Sequence, residues 1–259
     1  MRSTGDPLRR AISLYQRPVT RGRTHDMRRL LDQAAADTAT YTAVTDLCRY
    51  LNRWDDVGPA VLNEFEPVIQ RALAYDPQFH LAHYALGFLR RAQGQHEEAL
   101  AAFEETIRYA PPTFARVHAQ KGEERLYLGD FDGCISDVNR ALEINPNSNV
   151  RGYFYWVLGR AHFFKQDYKT AIDWLQRSIR GWSEVWYNYA YLIAAQALDD
   201  PTRAVRRTRR ARAAFDRKFP NYSLAQVLRN EADATPCDNP AVRAGRDRFH
   251  EGLRLAGIS

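Results

Sequence analysis

A chain of 259 residues, 45% hydrophobic and 12% aromatic, has enough apolar material to bury a substantial core, which excludes global disorder. The net charge of +6 is not a general basic character: residues 1–30 carry eight Arg against two Asp and residues 203–218 carry seven Arg and one Lys against one Asp, while residues 31–202 hold sixteen basic against twenty-three acidic side chains. Cys48, Cys134 and Cys237 stand far apart without a C-x-x-C or Cys/His cluster, which excludes a disulfide framework or a zinc site as the organising element. With no run of eighteen apolar residues, the sequence reads as soluble, cytoplasmic and without a membrane anchor.

Residues 1–45 read as a basic segment, flexible, helical or both. The opening "MRSTGDPLRRAISLYQRP" is rich in Arg and poor in acids, yet lacks the continuous apolar core of a signal peptide; a basic arm or short helix accounts for it better than a mitochondrial presequence does.

From Asp46 onward a period appears. Stepping from Gly87 by 7, 12, 16 and 24 residues reaches Gly94, Ala99, Phe103 and Pro111, and the same steps from Gly122 reach Gly129, Cys134, Val138 and Pro146. Gly159 leads to Gln166, Ala171, Leu175 and Ser183; Arg53 before them and Leu192 after them give weaker copies, so that five anchors recur at intervals of 34, 35, 37 and 33 residues. A small anchor lets the first helix of a pair lie close to the second, where another small residue faces it. Glycine at the seventh step ends the first helix and turns the chain, and proline at the twenty-fourth stops the second. A unit of this size cannot bury its own face, so at least three must stack.

"YALGFLRRAQGQHEEALAAFEETIRYAP" and its successors resemble tetratricopeptide repeats over residues 46–216, about two thirds of the chain. Lys121, where Leu86 and Leu158 mark an apolar position, and Leu192, where a small anchor belongs, depart from the pattern. The resemblance implies an all-α, right-handed superhelical solenoid of antiparallel helix pairs, about five repeats over 46–220. It also implies a concave groove lined by the first helix of each pair. The residues falling at groove positions include Tyr84, Phe88, Arg91, Arg116, Tyr127, Tyr153, Trp156, Arg160, Phe163, Trp186 and Tyr189. Tyr, Trp and Arg are common interface anchors, so the groove is expected to hold a protein or peptide partner. The Lys and Asn clamp that relatives use for chaperone tails is absent, its positions being taken by Tyr84, Phe88, Gln120, Tyr153 and Val157.

Next comes "AVRRTRRARAAFDRK", residues 204–218. At 100° per residue Ala204, Thr208, Ala211 and Phe215 fall within about 60° of one another, and Arg206, Arg209, Arg210 and Arg217 fall opposite, with Arg207 and Arg212 on the flanks. The expectation is a solvated basic outer patch, Arg206, Arg207, Arg209, Arg210 and Arg217. An acidic partner or nucleic acid is the functional alternative, and the lack of interleaved aromatics argues against readout of a nucleic-acid sequence.

In the last segment, 221–259, Asn239 as N-cap and Pro240 in the first turn predict a helix over 240–256 that covers the end of the solenoid. "FPNYSLAQVL" with "NPAVRAGRDRFHEGLRLAGIS" is similar to the tails of repeat regions that accompany class III adenylate cyclase or winged-helix regulator domains in alphaproteobacteria, although neither domain is present here. No phosphate loop, H-E-x-x-H, G-x-S-x-G or paired-carboxylate spacing stands out, so no catalytic, cofactor or metal residue is assigned. His83, His118 and His162 fall at packing positions of the repeat. The reading is a non-catalytic adaptor or regulatory scaffold, with a self-associating homodimeric scaffold or electrostatic nucleic-acid association as the alternatives.

Overall fold

The structure, a computed structural model, describes residues 62–75, 77–220, 223 and 236–258. The expected basic segment at 1–45, the opening helix of the first repeat and most of the linker before Asn239 lie outside the described residues. Within them the fold is all-helical. In chain order the helices are α1 (Leu62–Tyr75), α2 (His80–Ala92), α3 (His96–Tyr109), α4 (Ala115–Tyr127), α5 (Phe131–Ile144), α6 (Arg151–Phe164), α7 (Tyr168–Gly181), α8 (Trp186–Asp199), α9 (Ala204–Lys218, entered through a 3-10 turn at Pro201–Arg203) and α10 (Pro240–Leu255). Among the described residues no helix is long and apolar enough to cross a membrane.

The chain divides into two compact units, the division falling inside α4 after Lys121; Pro236 belongs with the first unit and Cys237 onward with the second. In the first, α1 packs on α2 and α2 on α3. In the second, α5 packs on α6, α6 on α7, α7 on α8 and α8 on α9, while α10 lies along α8 and reaches α6.

The seventh-step positions end the first helices by one repeated device. Gly94, Gly129 and Gln166 have φ of 76°, 82° and 65°, the left-handed conformation that reverses the chain after a helix. The amide that follows each one reaches back to the helix: Gln95 N donates to Arg90 O at 2.8 Å, Asp130 N to Arg125 O at 2.8 Å and Asp167 N to His162 O at 2.9 Å. Asp130 and Asp167 then cap the next helix, their side chains accepting from the amides of Gly133 and Thr170. Three-residue connections of this kind leave the paired helices antiparallel.

The anchors do what their size requires. A Cβ on Gly87 would stand 2.5 Å from Cε1 of Phe103, and one on Gly159 would stand 2.7 Å from Cγ of Leu175. The twelfth-step residues Ala99, Cys134, Ala171 and Ala204 are buried, as are the sixteenth-step residues Phe103, Val138, Leu175 and Thr208. Burying each of the large apolar ones contributes about 1.5–3 kcal/mol.

Gln166 adopts its positive φ where the two preceding repeats use glycine, and a side chain there costs about 1 kcal/mol relative to glycine. Gln166→Gly is therefore expected to raise the thermal unfolding midpoint by a few degrees. An unchanged or lower midpoint contradicts the role assigned to that position.

Candidate interaction surface

In the first unit, Tyr84, Phe88 and Arg91 fall on one face of α2, and all three are buried. Tyr84 meets Phe88, Phe103 and Phe114 edge-on at centroid distances of 5.0, 5.7 and 5.2 Å. The Arg91 guanidinium lies 5.4 and 5.5 Å from the ring centres of Phe88 and Phe103, and it donates to Oε1 of Gln120 at 2.8 Å and to the Gln120 carbonyl at 3.1 Å. Arg116 is half-buried. Arg91 thus ties α2 to α4, its charge satisfied by a carbonyl, an amide and two ring faces.

In the second unit the expected groove residues converge on one buried ion pair. Arg160, 4% exposed, donates to Oε1 of Glu123 at 2.8 Å and to the Tyr127 hydroxyl at 3.2 Å; Glu123 also accepts from the Tyr153 hydroxyl at 2.7 Å. The guanidinium carbon stands 5.1–5.8 Å from the ring centres of Trp156, Tyr127, Phe164 and Tyr191. Removing two charges from water is costly, and here close pairing, two hydroxyls and four aromatic faces offset that cost. Trp156 lies against Tyr187 at 4.5 Å, Tyr189 meets Phe219 edge-on at 5.6 Å, and Trp186 is half-buried. Phe163 is fully buried between Tyr191 and Phe249.

Neighbouring helices bury Trp156 and Tyr189, and α10 completes the burial of Phe163. Val242, Gly245, Phe249, Gly252 and Leu253 form the buried stripe of α10. Phe249 stacks on Tyr191 at 4.2 Å with an interplanar angle of 22°. A Cβ on Gly252 would stand 2.7 Å from the Ala194 carbonyl oxygen, and one on Gly245 would stand 2.8 Å from the Phe164 ring, so α10 runs almost backbone to backbone with α8. Arg248 donates to the Phe164 carbonyl at 3.2 Å, satisfying an unpaired acceptor at the end of α6. Asn239 caps α10 through the amides of Ala241 and Val242, as the sequence predicts, and its own amide donates to Leu128 O at 2.9 Å. The thiol of Cys237 donates to Tyr127 O at 3.1 Å. The face that α6 and α8 present is thus occupied by a helix of the same chain. The sequence carried a signal for it: Gly245, Phe249 and Gly252 share the stripe of Val242 and Leu253, a contact pattern that a merely solvated cap does not need.

On α9 the structure reproduces the expected wheel. Ala204, Thr208, Ala211 and Phe215 are buried, and Arg206, Arg207, Arg209, Arg210 and Arg217 are exposed. Arg207 pairs with Asp199 at 2.5 Å, and Arg212 donates to Ala256 O at 2.6 Å. His83 contacts the Pro77 carbonyl at 2.9 Å and stacks on Tyr109, while His162 contacts Asp167 at 3.1 Å. Burial pushes the Cys134 thiol well above its ordinary pKa. Among the described residues no group of three or more His, Cys, Asp or Glu side chains is placed to hold a metal ion.

Residues 80–112 and 115–148 match the tetratricopeptide repeat family. Among solved structures the chain is similar to PilW, a widely conserved type IV pilus biogenesis factor, at 13% identity, covering 83% of this chain and 92% of that one with a TM-score of 0.60. It is also similar to a thermophilic TPR protein of Thermus thermophilus, at 17% identity over 74% and 98% of the two chains with a TM-score of 0.52. The APC/C hetero-tetramer Cut9–Hcn1 contains a third similar chain, at 16% identity over 98% and 53% with a TM-score of 0.62. A search of curated proteins returns no match. Residues 80–112 and 115–148 are thus tetratricopeptide repeats, and such repeats support a protein–protein interaction scaffold.

The ion pair yields a prediction. Glu123→Ala strands the Arg160 charge in a buried site and is expected to cost about 3–5 kcal/mol of stability, whereas Glu123→Leu combined with Arg160→Met is expected to cost markedly less. Chemical denaturation of the wild-type chain and the two variants checks this; equal losses in the single and double variants contradict it.

Proposed function

We propose that this protein is a non-catalytic adaptor that receives a helix of a protein partner against the first-helix face of its repeats. The observation that carries the reading is α10, which shows the shape and chemistry that α6 and α8 accept: an amphipathic helix whose glycines permit close approach and whose single large aromatic, Phe249, stacks on Tyr191. The expected groove residues then have two roles. Arg91, Trp156, Arg160 and Phe163 hold the first helices in place, while Arg116 and Trp186 are only half-buried and offer part of their surface to a partner.

A partner helix of this kind presents small residues flanking one aromatic, the pattern that lets backbones approach while a ring fills the remaining space. Such a helix competes with α10 for the same face. The first test needs no knowledge of the partner. Phe249→Ala weakens the hold of α10 by about 3–5 kcal/mol and lowers the unfolding midpoint. A synthetic peptide spanning residues 239–258, added in excess, is expected to raise the midpoint of that variant by mass action, by about 2.7 kcal/mol at a hundred times its Kd. It leaves the wild-type chain unaffected, because the face is already filled. No response of the folded variant to the peptide, or an equal response to a scrambled one, overturns the reading.

A further inference from the structure

We propose that the outer side of α9, together with the turn before it and the end of α10, is a docking surface for an acidic peptide segment carrying an apolar side chain. The inference is independent of the first-helix face. It starts from a cleft of about 740 Å³ lined by Arg203, Arg206, Arg209 and Arg212 together with the apolar Val205, Ala213 and Leu255. Val205 is 58% exposed, the most conspicuous large apolar side chain on the surface of the described residues.

Two of the arginines of α9 are committed within the chain. Arg207 is held by Asp199, and Arg212 is held by the Ala256 carbonyl, a contact that fixes the end of α10 as one wall of the cleft. Arg206, Arg209, Arg210 and Arg217 form no ion pair among the described residues, and all four are exposed. Asp216 also lines the cleft, one carboxylate against the four guanidinium groups of Arg203, Arg206, Arg209 and Arg212.

Solubility alone does not account for this arrangement. Other second helices mix signs on their outer sides: α5 pairs Arg140 with Glu143 at 3.0 Å, and α7 alternates Lys169, Asp173 and Arg177. In α9, Arg206 lies three and four residues before Arg209 and Arg210, a like-charge spacing that destabilises a helix. An anionic ligand relieves that repulsion. The planar guanidinium fork suits carboxylates in pairs, and the apolar part of the lining suits an aliphatic side chain beside them. No aromatic ring lines the cleft, so it offers no platform on which nucleobases stack, which favours an acidic peptide over a single-stranded nucleic acid.

The test is fluorescence anisotropy on the full chain with four labelled probes. These are a twelve-residue peptide of Glu with two Leu, its analogue with Ser for Leu, its analogue with Gln for Glu, and a twelve-nucleotide single strand. The variants are Arg206→Gln with Arg209→Gln and Arg210→Gln, and separately Val205→Ser; Arg243→Gln, exposed on α10, is the control. All replace exposed side chains, and an unchanged thermal midpoint shows that each is folded. The Glu/Leu peptide is expected to bind the wild-type chain more tightly than either analogue, to lose about tenfold in the triple variant and about threefold in Val205→Ser, and to weaken as salt rises. The control is expected to leave it unchanged. Absence of peptide binding overturns the proposal, as does binding indifferent to the triple variant or to Val205→Ser. Binding of the oligonucleotide alone through the same arginines also overturns it, and so does self-association of the chain that the triple variant relieves.

Discussion

Close approach of two helices through a missing side chain is the constraint on which the rest of this structure depends. Helix axes can come together only where nothing stands between them, and the chain provides that gap with glycine on the first helix, into which the backbone or the sixteenth-step side chain of the second helix fits. Gly159 lies under Leu175, and Gly122 lies under the carbonyl of Cys134 with no room for a Cβ. The same device, applied by Gly252 against Ala194, seats the C-terminal helix on α8. Pairing within a repeat and docking of a helix onto the repeats are therefore one kind of contact.

Once that spacing is set, the fate of the larger side chains follows. The rings of α6 and α8 fill the gap between their own helices and α10, so Phe163 and Tyr191 become core while Phe249 reaches them from outside the repeats. Charge can enter this interior only as a closed pair, and Arg160 with Glu123 is such a pair, wrapped in rings and hydroxyls. The outer side of the second helices has no such restriction. It is there that α9 gathers its arginines, over a buried stripe of Ala204, Thr208, Ala211 and Phe215 that requires no charge at all.

Much of this was legible in the sequence, for a physical reason: the features that repeat are those fixed by local contact. The period of Gly87, Gly122 and Gly159 located the pairs, the turns at Gly94 and Gly129 followed from backbone conformation, and Asn239 with Pro240 announced α10 to within one residue of its end. The division of the α9 wheel was readable because one helix face decides it. What the sequence left open was occupancy. Tyr84, Phe88, Trp156 and Arg160 stand at positions that line a groove in a bare stack, yet whether such residues meet a partner or the chain itself depends on a segment distant in sequence. Gly245 and Gly252 recorded that α10 packs tightly, but not against which helix. The period put Gln166 at the turn position, but its residue type gave no hint that it adopts the conformation its predecessors assign to glycine.

The most direct measurement of the central claim is the thermal unfolding midpoint of three single replacements, Gly122→Ala, Gly159→Ala and Gly181→Ala. Alanine is the better helix former by about 1 kcal/mol, so propensity alone raises all three midpoints. Contact predicts otherwise. A Cβ at Gly122 or Gly159 meets the neighbouring helix at 2.9 and 2.7 Å, and those midpoints fall, whereas at Gly181 the nearest atom is 3.7 Å away and the midpoint holds or rises. If alanine at 122 and 159 stabilises the protein as it does an isolated helix, the helices do not nest through their glycines and the central claim is wrong.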